Sequence, residues 1–409
     1  MDQAKLSIAS VCRVWPCDAR PQNGIFVRRR VEAQAGLTSV RVLKPSPWFP
    51  IVRPFETGSI QAATDESKVK HQRMFYIPGI LKQWDAYWLE RSIRPILDRW
   101  HRTDRLNLID AHFGYPDGVG CWRWGRKRGV PVFITIRGVE AEQLKQPRIG
   151  QQLIDALRGC AGVIAVSDTL KAAAVDAGVP RDHITVIPNG IDAEDFAPGD
   201  CRESRRRLGL STSSRLIVSV GNVRHVKGHE LLIKAFVDVR ERIGNAELVI
   251  IGSLKDEPRY VKSIRTLIHH HGLENCVKLI GAVAPNEVAS WLRAADVFAL
   301  ASHREGCCNA LLEAITCGVP VVVTDVGDNR QYVSSPEHGS LVPANDVVKL
   351  GQALVELLCR QRDHTRDSKT HLLPTWNDVA ASVLQCFSTR IATNHLPQTS
   401  SPHSADMKW

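Results

Sequence analysis

The sequence predicts an α/β protein: two Rossmann-like, doubly wound domains facing each other across a cleft. Three observations carry that prediction. Short apolar strands alternate with helix-length amphipathic segments in two successive series. The rhythm pauses once, at 188–200, where Asn189-Gly190 and Pro198-Gly199 concentrate turn chemistry. The 409 residues suit two domains at roughly 100–200 residues each.

In the first series, strands are expected at 6–12, 39–43, 106–111, 130–136, 162–166 and 184–187. Between them, 26–35, 83–100, 117–127, 150–157 and 168–176 read as helices. The stretch 44–70, rich in Pro, Ser and charge, is expected to be an irregular excursion. In the second series, strands are expected at 216–220, 247–251, 277–280, 297–300 and 319–323, and helices at 226–239, 258–271, 285–294 and 309–317. One more helix is expected at 376–387. The division is then a domain over 1–195, a second over 196–370, a helix at 371–390 that crosses back to the first domain and a patternless, disordered tail at 391–409. Ligands of such sheets bind in the crevice at the carboxyl ends of the strands.

Apolar residues make up 44% of the chain and charged residues 23%, an ordinary globular balance. No apolar run approaches the roughly 20 residues that span a bilayer, and the stretch 6–12 is too short for a signal peptide, so the cytoplasm is the expected compartment. Eleven cysteines without a C-x-x-C pair read as reduced, mostly buried thiols. The net charge of +10 is uneven, with 28 basic against 21 acidic residues up to 195. A basic half fits a soluble surface, an anionic substrate, an anionic membrane or nucleic acid.

The most informative segment runs from Ser302 to Gly327, S-H-R-E-G-C-C-N-A-L-L-E-A-I-T-C-G-V-P-V-V-V-T-D-V-G. A strand, a turn at Gly306, an apolar helix and a buried strand follow one another. Glu313 sits among Ala310, Leu311, Leu312, Ala314 and Ile315, so its carboxylate needs a partner, either inside the protein or on a ligand hydroxyl. Glu305 lies eight positions earlier, about 12 Å away if the spacing were helical. That is comparable to the length of a sugar-diphosphate-ribose unit. The free N–H groups of the helix start, around Cys308, Asn309, Ala310 and Leu311, suit a diphosphate.

Here the sequence resembles the family 4 retaining glycosyltransferases of the two-Rossmann (GT-B) fold. The carriers are E-G-x-x-N-x-x-x-E from Glu305 to Glu313, followed by A-x-x-x-G-x-P-V-V. The likeness covers roughly residues 6–390. It implies that Glu305 contacts donor-sugar hydroxyls and that Glu313 holds the ribose.

Other segments extend it. In Val220-Gly221-Asn222-Val223-Arg224-His225-Val226-Lys227-Gly228, Gly221 allows a tight turn and Lys227 can place a cation on a diphosphate. The family carries an Arg-plus-Lys pair here. Lys227 matches the Lys, Asn222 stands at the Arg position, and Arg224 or His225 is left to supply the missing charge. In Asp110-Ala111-His112-Phe113-Gly114, the strand-end His112 is either a solvated or capping residue or a substrate contact, and the resemblance favours the latter. Thr135-Ile136-Arg137-Gly138-Val139-Glu140 matches T-x-H-G-x-D with Arg137 for the His and Glu140 for the Asp, and an Arg there favours an anionic group on acceptor or donor. Pro21-Gln22-Asn23-Gly24 resembles the family's first glycine loop, in which a side chain at Gly24 would block a close ligand. Ile187-Pro188-Asn189-Gly190-Ile191-Asp192 resembles the interdomain linker, and Gly327-Asp328-Asn329-Arg330-Gln331 departs from the family's G-G-x-x-E.

The resemblance implies a hexosyltransferase acting with retention, with the first domain taking the acceptor and the second the nucleotide sugar. No D-x-D occurs, so no metal and no cofactor are expected, and the leaving diphosphate falls to Lys227 and the helix start. The candidate catalytic residues are Glu305, His112 and Arg137. The donor-binding set is Gly24, Asn222, Arg224, Lys227, Glu305, Gly306, Cys308, Asn309, Ala310, Leu311 and Glu313. The expected partners are a nucleotide sugar and a carbohydrate or lipid-linked acceptor of polysaccharide or glycolipid assembly in the cell envelope. Trp84, Trp88, Trp122 and Trp124 beside the basic runs 91–105 and 123–128 suit either a core or peripheral contact with an anionic membrane. No basic helix with interleaved aromatics supports nucleic acid. The competing readings are a nucleotide-sugar epimerase or another GT-B enzyme such as a phosphorylase, and a nonenzymatic nucleic-acid or scaffold protein. A dinucleotide oxidoreductase lacks its G-x-G-x-x-G.

Overall fold

The computed structural model describes residues 6–17, 23–50, 69–333, 336, 338–360 and 373–394. The first series runs β1 (Ser7–Val11), α1 (Ile25–Leu37), β2 (Ser39–Trp48), β3 (Val69–Phe75), α2 (Asp85–Asp104), β4 (Leu108–His112), α3 (Val119–Arg128), β5 (Val132–Ile136), α4 (Glu140–Gln143), α5 (Pro147–Gly159), β6 (Gly162–Ala165), α6 (Asp168–Asp176) and β7 (Ile184–Val186). The second runs α7 (Cys201–Arg207), β8 (Arg215–Val220), α8 (His229–Arg242), β9 (Ala246–Ile251), α9 (Pro258–His270), β10 (Val277–Gly281), α10 (Pro285–Ala294), β11 (Val297–Leu300), α11 (Asn309–Thr316), β12 (Val321–Thr324), α12 (Asn329–Tyr332), β13 (Gly339–Val342), α13 (Val347–Cys359) and α14 (Trp376–Asn394).

Two all-parallel sheets result, in the orders β3-β2-β1-β4-β5-β6-β7 and β10-β9-β8-β11-β12-β13. Central strands such as β4 and β5 are buried along their whole length, as a sheet covered on both faces requires. The strand order reverses between β1 and β4 in one sheet and between β8 and β11 in the other. The loops leaving those four strands therefore flank the two places where ligands of this architecture bind.

Part of the expected excursion at 44–70 is strand. β2 continues to Trp48, and β3 pairs with it from Val42↔Val69 to Trp48↔Phe75. Pro45 and Pro47 lie beyond the last β1 pair, Val11↔Leu43, where β2 has a neighbour on one side only. Residues 51–68 of that stretch lie outside the described residues. β13 and α13, unassigned from sequence, complete the second sheet and cover it. Of the expected tail, 391–394 continue α14, and 395–409 lie outside the described residues.

Helix α14 does not pack on the second sheet. Val379, Val383 and Phe387 enter the core of the first domain with Ile8, Val27, Leu108 and Ile164. The Phe387 ring lies 4.4 Å from that of Phe133 on β5. The chain thus passes between the domains twice, and the two passages touch. Ile191 donates its N–H to Pro374 C=O (2.9 Å) and forms a parallel bridge with Thr375. All eleven cysteines are free, and only Cys359 is exposed.

Candidate active site between the two sheets

On the second domain, the loop after β8 and the loop after β11 meet through one ion pair. Lys227 Nζ lies 2.7 Å from Glu305 Oε1, which also accepts the buried Ser302 hydroxyl at 2.5 Å. Burial alone would depress the Lys227 ammonium. Glu305 outweighs it and raises the pKa. Helix α11 starts four residues beyond Glu305, and its N-cap residue Cys308 makes no side-chain cap. Leu311 N–H is taken by Cys308 C=O (3.1 Å), while the amides of Cys308, Asn309 and Ala310 have no backbone acceptor among the described residues. The Leu311 side chain is fully buried in the core. Its amide is thus engaged within the helix start and its side chain in the core. The Cys308 thiol is buried, and burial raises its pKa strongly.

Glu313, on α11, is half-buried, and its carboxylate has no hydrogen bond or ion pair among the described residues. Burial pushes its pKa up to about 7, against the pull of Arg29 and with the help of Asp195. Arg29, on α1, is itself paired with Asp192 (3.4 Å) and Asp195 (3.3 Å) of the linker. Glu313 therefore lies where α1, the linker and α11 converge.

Asn222 and Arg224 are otherwise engaged. The Asn222 amide donates to Asp256 Oδ2 (2.9 Å) and its carbonyl accepts Ser253 N–H (3.1 Å). Arg224, half exposed, pairs with Glu257 at 3.2 Å. Both tie the β8 loop to the loop after β9, and Arg224 still lies close enough to Lys227 to oppose its ammonium charge. Gly24 carries a backbone constraint of its own. Its φ is +77°, and a Cβ there would sit 2.1 Å from Val14 C=O, so close backbone packing requires glycine.

On the first domain, a buried polar chain starts at Arg30. Its guanidinium donates to both carboxylate oxygens of Asp110 (2.6 Å each) and to Thr135 Oγ1 (2.9 Å). His112 is fully buried, with Nε2 3.0 Å from Ser10 Oγ and Nδ1 3.2 Å from an Arg137 nitrogen. An arginine has only donors, so Nδ1 is the acceptor and the ring proton sits on Nε2. Burial, opposed by Asp110 and aided by Arg30 and Arg137, holds the His112 pKa well below its usual value. The ring has no exposed surface, and both of its nitrogens are engaged by Ser10 and Arg137.

Arg137 carries the chain across the interface. Its Nη1 donates to Asn189 Oδ1 (2.9 Å), and Asn189 Nδ2 donates to Asn309 Oδ1 at the start of α11 (2.8 Å). Its Nε is buried without a partner, it has no ion pair among the described residues, and its guanidinium stacks over Phe26 at 5.2 Å. Burial and the repulsion of Arg30 pull its pKa down to about 9. Arginine keeps its proton in proteins, so this direction marks an under-compensated cation. Glu140 is spent on backbone, accepting Gly114, Arg137 and Gly138 N–H at 2.8–2.9 Å.

The two domains also touch elsewhere. A Cβ on Gly306 would stand 2.7 Å from Arg137 C=O. Arg304 pairs with Glu142 at 2.7 Å. Asp328 accepts the Asp168 and Thr169 N–H groups (2.7 and 3.0 Å) and the Thr169 hydroxyl (2.5 Å), capping α6 from the other domain. Asn189 and Asp328 were legible only as a linker residue and as a departure from the family pattern.

Comparison with known proteins gives a consistent picture. Residues 200–369 match the glycosyl transferases group 1 family, and residues 51–195 match Glycosyltransferase Family 4. A D-inositol 3-phosphate glycosyltransferase of Xylanimonas cellulosilytica is 30% identical over 310 residues, 70% of this chain and 73% of its own. Sucrose-phosphate synthase from Thermosynechococcus elongatus superposes with a TM-score of 0.75 at 20% identity, over 95% of this chain and all of its own. HepE from Anabaena, solved in complex with UDP and glucose, has a TM-score of 0.75 at 17% identity, over 94% of this chain and all of its own.

Proposed function

The chain belongs to the family 4 glycosyltransferases and has their GT-B fold, and from that premise we propose that it transfers a sugar from a nucleotide-diphosphate donor to an acceptor hydroxyl with retention. The observation that carries this reading is the arrangement along α11. Lys227 and Glu305 stand on one side of its N-terminus, and the unpartnered Glu313 lies beyond it. In this scheme Lys227 and the amides of 308–310 take the diphosphate, which then leaves without a metal ion. Both contacts to Glu305 fall on Oε1, so Oε2 is offered to a donor-sugar hydroxyl. Glu313 accepts from the ribose.

The anomeric carbon loses its bond to the phosphate oxygen and gains one to the acceptor oxygen on the same face. The departing phosphate takes the acceptor proton. No nucleophilic carboxylate is required, and His112 acts as a positioning residue for Arg137. Closed domains exclude water that would otherwise hydrolyse the donor. Arg137, short of an anion, supports an acceptor that carries a phosphate. The name of the Xylanimonas relative, which specifies D-inositol 3-phosphate, points the same way.

Among the described residues no helix is long and apolar enough to cross a membrane. Ile80 (63% exposed), Leu81 and Trp84 (52%) form an exposed apolar group beside Lys82, which supports peripheral contact with the inner face of an anionic membrane. Trp124 is excluded from that surface: it is buried and donates to Asp98 at 2.9 Å.

The test is a thermal-shift panel of UDP-, GDP- and ADP-sugars on the wild type and on Glu305→Ala. UDP-sugars come first, because UDP is the ligand of the Anabaena neighbour. One donor should stabilise the wild type and fail to stabilise the variant. Indifference of both proteins to every donor would sink the reading.

A further inference from the structure

We propose a transition-metal site at His225, Glu230 and His303, beside the donor-binding loops and separate from the leaving-group chemistry. One ligand atom from each of the three lies within 4.8 Å of the other two. They come from three places that the fold brings together: the turn after β8, the first turn of α8 and the loop after β11.

The group is built in the way metal ligands are built. His303 Nε2 stands 2.9 Å from Glu230 Oε1, and its Nδ1 is held by Asn345 Oδ1 at 2.8 Å. The far oxygen of Glu230 accepts the Tyr260 hydroxyl. Each of these two ligands thus has an outer partner that fixes its orientation. The His225 ring stacks on His303 with centroids 4.9 Å apart and planes within 19°. Zinc bonds of about 2.0–2.2 Å in a tetrahedron place ligand atoms roughly 3.3–3.6 Å apart. His225 is exposed, so its ring can turn to close the remaining distance, giving up only its edge contact with Tyr260.

Two imidazoles and one carboxylate suit a borderline dication such as Zn²⁺ rather than Mg²⁺, with water at the open position. The location gives the ion a consequence. His225 and Lys227 are two residues apart on one loop, and His303 and Glu305 are two apart on the other. One member of each pair makes the Lys227–Glu305 bridge, and the other faces the proposed ion. His303 N–H also donates to Val226 C=O at 2.9 Å. A bound ion therefore staples the loops that present Lys227 and Glu305, and it sets how firmly those two side chains are held.

The experiment is calorimetric titration of the metal-freed, full-length protein with Zn²⁺, without any nucleotide sugar, so that its outcome is independent of the transfer reaction. Parallel titrations use Mg²⁺, His225→Ala, Glu230→Gln and the double variant His225→Ala/His303→Ala. The wild type should bind one Zn²⁺ per chain and melt at a higher temperature with it. His225→Ala, which removes only an exposed ring, should weaken binding at least tenfold, and the double variant should abolish the melting shift. Three results overturn the proposal: no zinc uptake by the wild type, an equal response to Mg²⁺, or wild-type affinity in the double variant. The last would place the ion on the run His269-His270-His271.

Discussion

Lys227 Nζ and Glu305 Oε1, 78 residues apart in sequence, meet at 2.7 Å and join the carboxyl ends of β8 and β11. The pair holds a cation at the second sheet's switch point, beneath the start of α11. Lys227→Ala should therefore lower kcat/KM by about 10²–10³-fold, the scale for losing one group that stabilises a leaving anion. It should also destabilise folding, because Glu305 loses its cation. Steady-state kinetics and urea melts check both, and unchanged kcat/KM would remove Lys227 from the site.

Glu313 gives a prediction in pH. Its folded-state pKa is raised by burial from the ordinary 4.5 to about 7. A carboxyl raised on folding is stabilising only while protonated in the fold. The favourable contribution is present below pH 4.5 and is lost as pH rises towards 7. Glu313→Gln should thus be more stable than wild type by roughly 1–2 kcal/mol at pH 8, after allowing for solvent screening. The two should be nearly equal at pH 4. Urea melts at both values measure this. The same variant should lose nucleotide affinity.

Arg137 predicts an anion response. Once the panel has identified the nucleoside diphosphate, that ligand is held at saturation and inorganic phosphate is added. Phosphate should raise the melting temperature of the wild type further and leave Arg137→Gln unmoved. An equal rise in both proteins would place the anion elsewhere.

Asp328 predicts a change of shape. Its carboxylate caps α6 across the interface, and Asp328→Ala removes a cap worth about 0.5–2 kcal/mol. Small-angle scattering should show a larger radius of gyration for the variant without donor and a return towards the wild-type value with it. A radius identical to wild type in both states would show that the cap does not hold the domains together.

The parts legible in sequence are those whose signal is local. The apolar runs at 297–300 and 319–323, the turn chemistry around Asn189-Gly190 and the Glu305-to-Glu313 spacing each declare themselves within a few residues. β3, VKHQRMF, was hidden because its side chains are mostly polar and partly exposed. The prolines of β2 disguised a strand that has one neighbour at those positions. Side-chain partners were the least legible. His112 is closed off by Ser10 from β1 and by Arg137 beyond β5, and Asn222 is claimed by Asp256. No spacing along the chain announces such neighbours, which are set by strand order and register.

The placement of α14 has a consequence for biosynthesis. Ile8, Leu108 and Phe133 are synthesised before the second domain, yet Val383 and Phe387, which cover them, come after it. On the ribosome the first domain waits with an open apolar face while the second is completed. Removal of the 19-residue helix should therefore yield an aggregating chain, whereas a tag fused after it leaves that seam intact.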